Sequence, residues 1–162
     1  MKNKSLILMS VLLVLTFALV GCGQKAEETA SNPMKYISVE DLKKDIDAGS
    51  NEYIILDVRQ TKDYEDSHIK GSILADQHAA NKEGDDATGI ANLKAALKEV
   101  TGSETGTSDA KYALVCYSGK SYAQKATDLL IEMGVSPDQI FTVEGGMKAW
   151  TEAGDDYNSL LE

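Results

Sequence analysis

The 162-residue sequence is poor in residues that mark particular classes of function. It contains one arginine, two prolines, two histidines and two cysteines. The formal net charge is −10, with 26 acidic and 16 basic residues. Binding to nucleic acid needs a basic face, so this balance excludes nucleic acid as a partner. Because 43% of the residues are hydrophobic and prolines are few, the composition indicates a folded domain of ordinary size plus a short extra segment.

The sequence also lacks the motifs that are typical of metal and nucleotide sites. The two histidines are His68 and His78, and "EGDDATG" lacks the spacing of a calcium loop. The sequence has no glycine-rich nucleotide fingerprint. We therefore predict neither a metal site nor a cofactor.

The first 23 residues form a separate segment. Lys2 and Lys4 precede an apolar run over residues 6–20, which is too short for a comfortable membrane span and is typical of a secretory signal. The run ends in "LVGC", which resembles the bacterial lipobox. That resemblance implies a signal peptide over 1–21, a diacylglyceryl group on Cys22, and attachment to the extracytoplasmic face of the cell membrane. The alternative is an uncleaved anchor helix with an incidental cysteine.

The N-terminal segment also bears on whether the two cysteines can form a disulfide. Residues 22–35 are polar and without periodicity after the lipobox, which predicts a lipid attachment followed by a flexible tether. If Cys22 carries lipid, Cys116 has no intramolecular partner for a disulfide. A lone free thiol in an exported protein is unusual and suggests a function.

From residue 36 to residue 155 the pattern alternates between strands and helices, which predicts one domain with a short tail over 156–162. Apolar runs predict strands at "YIILDV" (53–58), "GSIL" (71–74), "YALVC" (112–116) and "IFTV" (140–143). The predicted helices are "ISVEDLKKDIDAG", with Ser38 as N-cap and Gly49 at its end, "IANLKAALKEV", "SYAQKATDLLIEM" and "GGMKAWTEAG". Strands separated by helices imply a parallel sheet covered on both faces, in the α/β class.

Two polar signals lie where strands of this predicted sheet end. Asp57 and Arg59, the sole arginine, close one strand, and Cys116 closes another. Ligands of such sheets bind at the carboxyl ends of the strands. The sequence therefore predicts that Cys116 lies at the edge of the sheet where ligands bind.

The segment "CYSGKS" (116–121) predicts a tight turn that runs into the N-terminus of a helix. Successive backbone N–H groups can converge there, and the helix dipole adds positive potential. A cysteine sulfur at this point ionises more readily, and the thiolate is the reactive form. Gly119 permits unusual backbone torsions, and Lys120 offers a cation. An inert buried cysteine is the other interpretation, but the pattern favours a reactive thiol.

Three segments, in order, resemble the signatures of a single rhodanese-like domain: "LDVRQTKDYEDSHIKGSI", "VCYSGKSYAQKATDLLIEMG" and "VEGGMKAW". The resemblance implies a three-layer α/β fold with a five-stranded parallel sheet between helices. It also implies transfer of sulfane sulfur from a donor such as thiosulfate, through a cysteine persulfide, to a nucleophilic acceptor.

The resemblance also assigns roles by position. Cys116 corresponds to the persulfide-forming nucleophile, and Asp57, Arg59 and His68 correspond to residues that brace the structure. The cradle for the donor consists of Tyr117, Ser118, Gly119, Lys120 and Ser121. The packing residues are Gly145, Gly146 and Trp150.

The sequence departs from the family pattern in the loop. Many members have arginine where Ser121 stands, so thiosulfate is in doubt as the preferred donor. Cdc25-type phosphatases place an arginine six residues after the cysteine, but here that residue is Tyr122, which argues against phosphoryl chemistry. The stretch 75–110 is longer than a compact member needs, and we expect it to be a surface insertion; the alternative is a lid or a docking surface.

Together these features predict a membrane-tethered sulfurtransferase that takes sulfur from thiosulfate or another persulfide donor and passes it to a thiol or cyanide. The alternative is a lipid-tethered carrier, redox or binding module that passes sulfur only to a partner protein, which the sequence does not identify.

Overall fold

The computed structural model describes residues 31–162. The predicted signal peptide over 1–21, the lipidation of Cys22 and most of the 22–35 tether lie outside these residues. Within residues 31–162, no helix combines the length and the apolar character needed to cross a membrane.

Five parallel strands form one sheet in the order β1-β5-β4-β2-β3. The strands are β1 (Tyr36–Ile37), β2 (Tyr53–Asp57), β3 (Ile73–Leu74), β4 (Lys111–Val115) and β5 (Ile140–Val143). This confirms the predicted α/β fold with a five-stranded parallel sheet. Four of the strands are the ones predicted from apolar runs, whereas β1 has two residues and is too short to show a pattern.

Helices cover both faces of this sheet. The α-helices are α1 (Val39–Ala48), α2 (Thr61–Asp66), α3 (Asp86–Thr101), α4 (Ser121–Glu132), α5 (Gly146–Glu152) and α6 (Asp155–Asn158). A π-helical turn (Ala79–Glu83) precedes α3, and a short 3-10 helix (Pro137–Gln139) precedes β5. Ser38 caps α1 by accepting a hydrogen bond from the Asp41 N–H at 3.0 Å, and α1 ends at Gly49 in the left-handed conformation, as the sequence predicts.

The core has two layers because successive residues of a strand point to opposite faces. On β4, Leu114 packs with α3 and α4, whereas its neighbours Ala113 and Val115 pack with α1 and α5. Trp150 of α5 is fully buried in this second layer. The parallel sheet is therefore covered on both faces, and its polar groups meet at the edge where the strands end.

The expectation that residues 75–110 form a surface insertion is wrong. Ala75, Gln77, Leu93 and Leu97 are all fully buried. The apolar stripe of α3 covers the sheet beside α4, so this stretch supplies part of the core.

The segment 156–162, which the sequence analysis sets apart as a tail, also packs on the domain. Trp150 Nε1 donates to the Tyr157 carbonyl at 3.0 Å, and Leu161 forms an antiparallel bridge with Ile69. Its apolar side chains extend the layer that holds Trp150.

Candidate active site

Cys116 follows directly after β4, one residue beyond the end of the central strand. It is a free thiol and is 2% exposed. On either side, β4 pairs with β2 and β5, so the loops after three strands lie around it. The structure thus places Cys116 at the carboxyl edge of the sheet, as the sequence predicts.

The loop after Cys116 has unused backbone donors. Within the described residues, the N–H groups of residues 117–120 donate to no protein acceptor. Lys120 is the N-cap residue of α4, so the N-terminus of a 12-residue helix adds its dipole. Free N–H groups beside a helix N-terminus are suited to an anion.

Helix α5 explains why these donors are free. The Cys116 carbonyl accepts from the Met147 N–H at 2.8 Å, and the Tyr117 carbonyl accepts from the Lys148 N–H at 3.1 Å. In a trans peptide the N–H points opposite to the carbonyl. The N–H groups of Tyr117 and Ser118 therefore point away from α5.

Two glycines permit this close approach. Gly119 has φ +65°, and a Cβ there would lie 2.8 Å from the Val143 carbonyl oxygen. Gly146 has φ +57°, and its Cβ would lie 2.2 Å from the Cys116 carbonyl oxygen. Both positions exclude any side chain.

Asp57 and Arg59 form a buried ion pair beside the loop. Arg59 Nη2 lies 2.6 Å from Asp57 Oδ2 and also donates to the Ser67 carbonyl at 2.7 Å. Arg59 Nε and its backbone N–H each donate to Asp57 Oδ1 at 3.0 Å. With 7% of its side chain exposed, this guanidinium connects the end of β2 to Ser67, the residue that ends α2.

His68 takes part in contacts that hold the chain rather than the thiol. Its Nδ1 lies 2.9 Å from the Tyr64 carbonyl oxygen, and its ring stacks on the Tyr64 ring with centroids 3.8 Å apart. Its backbone exchanges two hydrogen bonds with Glu162. The structure does not bring His68 into the Cys116 loop.

Lys120 and Ser121, the last two predicted cradle residues, are exposed at the rim of the site, whereas Gly119 is buried and Ser118 is half-buried. Lys120 forms no ion pair with a carboxylate of the described residues. Its ammonium group is therefore available to an incoming anion.

Two tyrosines link the Cys116 loop to neighbouring loops, and sequence reasoning missed these partners. The Tyr117 hydroxyl donates to Asp63 on α2 and accepts from the Gln60 N–H at 3.3 Å. The Tyr117 ring meets the Tyr122 ring edge to face, with centroids 5.1 Å apart. Burial, followed by the hydrogen bond to Asp63, raises the pKa of Tyr117 to about 12, so the phenol stays protonated at neutral pH.

Tyr122 occupies the position six residues after Cys116 and is 6% exposed. Its hydroxyl is hydrogen-bonded to His78 Nδ1 at 2.8 Å, and the Lys82 ammonium lies 5.6 Å from its ring centroid. The π-helical turn thus supplies a second cation near the loop. Because the π-helical turn lies far from Cys116 in the sequence, no local sequence pattern predicts its contacts with Tyr122.

Chemically, the arrangement can hold a thiolate or an anionic sulfur group. The described residues contain no group of three or more His, Cys, Asp or Glu side chains that could hold a metal ion. Free amides, a helix N-terminus and Lys120 are the groups that the loop offers to negative charge.

Comparison with known proteins gives one family match for this chain. The model of the rhodanese-like domain family matches residues 38–153. Among curated proteins, no match was found.

Solved structures show the same fold. The rhodanese-like domain of an Anabaena protein superposes with a TM-score of 0.56 at 18% identity, covering 80% of both chains. An uncharacterised protein of Saccharomyces cerevisiae gives 0.56 at 22% identity and covers 77% of this chain and 97% of that one. A Rhodopseudomonas palustris protein described as a possible tyrosine phosphatase gives 0.51 at 21% identity and covers 75% of this chain and 82% of that one.

Proposed function

Because the chain belongs to the family of rhodanese-like domains, we propose that it transfers sulfane sulfur through a persulfide on Cys116. The observation that carries this proposal is the loop itself. A free thiol stands beside backbone N–H groups that donate to no acceptor within residues 31–162. Such donors stabilise a thiolate, and then the persulfide anion that replaces it.

The proposed reaction has two displacements at sulfur. The Cys116 thiolate attacks the outer sulfur of thiosulfate, a new S–S bond forms, and sulfite leaves with the electron pair of the broken S–S bond. Cyanide or a thiolate then attacks the outer sulfur of the persulfide. That step releases thiocyanate or a new persulfide and restores the Cys116 thiolate.

The site supports this chemistry better than phosphoryl transfer. Hydrolysis of a phosphate ester at such a loop needs a guanidinium fork for the equatorial oxygens. Arg59 is the one arginine of the sequence, and its side chain is engaged by Asp57 and Ser67. The corresponding loop position is occupied by Tyr122, whose hydroxyl is bound to His78.

A second candidate function is a sulfur carrier that serves a partner protein without turning over small molecules. The observation that favours it is Ser121 at the position where many family members have arginine. A small dianionic donor then depends on the amides and Lys120 for its binding.

Steady-state assays with thiosulfate and cyanide distinguish the two functions. An enzyme shows turnover that Cys116→Ser abolishes while circular dichroism remains native. A carrier shows a persulfide on Cys116 after one equivalent of donor but no turnover. Turnover retained in Cys116→Ser would contradict both functions.

We propose further that Cys22 carries lipid and tethers the domain to the membrane. Ten residue steps separate Cys22 from Asn32, which Asp128 and Gln124 hold on α4. The tether therefore reaches at most about 35 Å, whatever its conformation. Mass spectrometry of membrane-bound protein should show a lipid-modified peptide that begins at Cys22; an unmodified, intact N-terminus would contradict the anchor.

A further inference from the structure

Tyr117, the residue that follows Cys116, is held by hydrogen bonds at three points. Helix α5 holds its backbone on both sides, through the carbonyls of Cys116 and Tyr117. The third fixed point is the far end of the Tyr117 side chain, where Asp63 accepts a hydrogen bond and the Gln60 N–H donates one. Both of these partners follow β2, so the hydrogen bonds join the loops of two adjacent strands.

This third fixed point controls the orientation of the free amides. The two peptide groups that flank Tyr117 contribute the N–H groups of Tyr117 and Ser118, for which the described part of the chain supplies no acceptor. Their direction follows the φ and ψ angles of Tyr117, and those angles are coupled to the direction of its side chain. A hydroxyl held at the tip of the ring therefore restricts the rotation of both N–H groups.

We propose that Asp63 is a positioning residue for the transfer reaction: it accepts the hydrogen bond from Tyr117 Oη and so holds the N–H groups of the Cys116 loop toward the sulfur. This proposal rests on the proposed function of Cys116. Asp63 itself lies on α2, and the hydrogen bonds place Tyr117 between its carboxylate and the loop backbone.

The phenol is suited to this task. It is half-buried, and its raised pKa of about 12 keeps the proton that the hydrogen bond to Asp63 requires. The other charged or titratable groups around the loop include Lys120 and Tyr122 of α4, His78 and Lys82 of the π-helical region, Lys148 of α5, and the buried pair of Asp57 and Arg59 that follows β2. None of these groups is altered in the experiment below.

The sign of the effect separates positioning from a simple charge effect. As a bare negative charge near the sulfur, Asp63 would disfavour the thiolate, so its removal would speed alkylation of Cys116. As a positioning residue it favours the thiolate indirectly, so its removal slows alkylation. The variant Tyr117→Phe removes the same hydrogen bond without changing any charge.

The experiment measures the rate of alkylation of Cys116 by iodoacetamide against pH, in the folded full-length protein. For Asp63→Ala and for Tyr117→Phe we expect the rate at pH 7 to fall about threefold to tenfold, the equivalent of about one hydrogen bond, and the profile to move to higher pH. The double variant should lose no more than Tyr117→Phe alone, because both substitutions remove the hydrogen bond between Tyr117 and Asp63. Asp63→Asn keeps an acceptor oxygen and should remain close to the wild type.

Tyr112→Phe is the matched control. Tyr112 lies on β4, the strand that precedes Cys116. Its hydroxyl accepts from the Thr107 N–H at 3.3 Å, and its side chain is fully buried. Removal of the Tyr112 hydroxyl should leave the alkylation rate of Cys116 unchanged at every pH.

Faster alkylation in Asp63→Ala, or an unchanged profile in Tyr117→Phe, would overturn the positioning role. Because alkylation reports on the thiol without any sulfur donor, this result is independent of whether the wild type turns over thiosulfate. Where turnover is measured, the two variants should lower kcat/KM together.

Discussion

At the scale of single residues, the buried pair of Asp57 and Arg59 supports a prediction about stability. Arg59→Ala leaves the Asp57 carboxylate fully buried without its partner. We expect the free energy of unfolding to fall by about 3–5 kcal/mol, the usual cost of breaking a buried pair from one side. Urea denaturation measures this change.

Arg59→Lys is the matched variant for that prediction. It keeps the positive charge but loses the fork that contacts both Asp57 and the Ser67 carbonyl, so an intermediate loss is expected. Unchanged stability together with a collapse of donor affinity would instead place Arg59 in the binding site.

Lys120 supports a prediction about the choice of donor. Because its side chain is exposed, Lys120→Ala should leave the fold intact and weaken binding of thiosulfate by about 1–2 kcal/mol, after allowance for screening by solvent. A neutral persulfide donor should be affected less. Kinetics with both donors measure the difference.

The control for Lys120 is Lys98→Ala, which removes an equal charge from the last turn of α3 and should affect neither donor. Ser121→Arg should act in the opposite direction and raise activity with thiosulfate, since it adds a second cation at the rim. Equal losses for both donors in Lys120→Ala would show that its charge does not select between them.

Some site residues could be predicted from the sequence because their signal is local. Cys116 ends an apolar run, and Gly119 and Lys120 follow within four positions, so one short segment contains nucleophile, turn and cation. Asp63 and His78 could not be predicted in this way. Their contacts with Tyr117 and Tyr122 span 54 and 44 residues and depend on how three loops pack together.

At the scale of elements, the N-terminus of α5 supports a prediction about the loop. A methyl group on Gly146 would meet the Cys116 carbonyl oxygen at 2.2 Å and the Ser118 nitrogen at 2.8 Å. Both atoms belong to the backbone of the loop, so the loop must move. Gly146→Ala should therefore lower sulfur transfer by more than its loss of stability explains, as paired activity and unfolding measurements would reveal.

Gly49→Ala separates backbone strain from this close contact. Gly49 has a similar φ of +59°, but no atom of the described residues lies within 4 Å of a Cβ placed there. It should cost about 1–2 kcal/mol of stability through strain alone and leave specific activity unchanged. If both glycine variants lost activity equally, the contact between α5 and the loop would not be what positions the cradle.

Patterns of several residues predicted most elements, and short or tightly coupled elements escaped them. The apolar runs of β2, β4 and β5 are typical of buried parallel strands. The two residues of β1 form a strand because β5 offers free partners at Thr142 and Val143. The π-helical turn, Ala79–Glu83, has no sequence period of its own and forms where the chain must pack against α4.

At the scale of the whole molecule, the parallel topology gathers the functional groups. Each strand ends at the same edge, so Asp57, Cys116 and the loop before α5 come together although they are far apart in sequence. This convergence could be predicted because alternating strands and helices leave few other arrangements. The role of residues 75–110 could not, since length alone does not distinguish an insertion from a core helix.

The excess of acidic residues is a property of the whole sequence, whereas the loop after Cys116 offers backbone amides and Lys120 to negative charge. A net charge of −10 favours solubility. Lys120 is exposed at the rim of the site, so an anion meets a cation there on an acidic protein.

The most direct test of the central claim is the mass of the peptide that contains Cys116. The protein is incubated with one equivalent of thiosulfate, and the peptide is measured before and after cyanide is added. If Cys116 carries the transferred sulfur, the peptide gains the mass of one sulfur atom and loses it to cyanide as thiocyanate, and Cys116→Ser gains none. A Cys116 peptide that stays unmodified while sulfur transfer proceeds would contradict that claim.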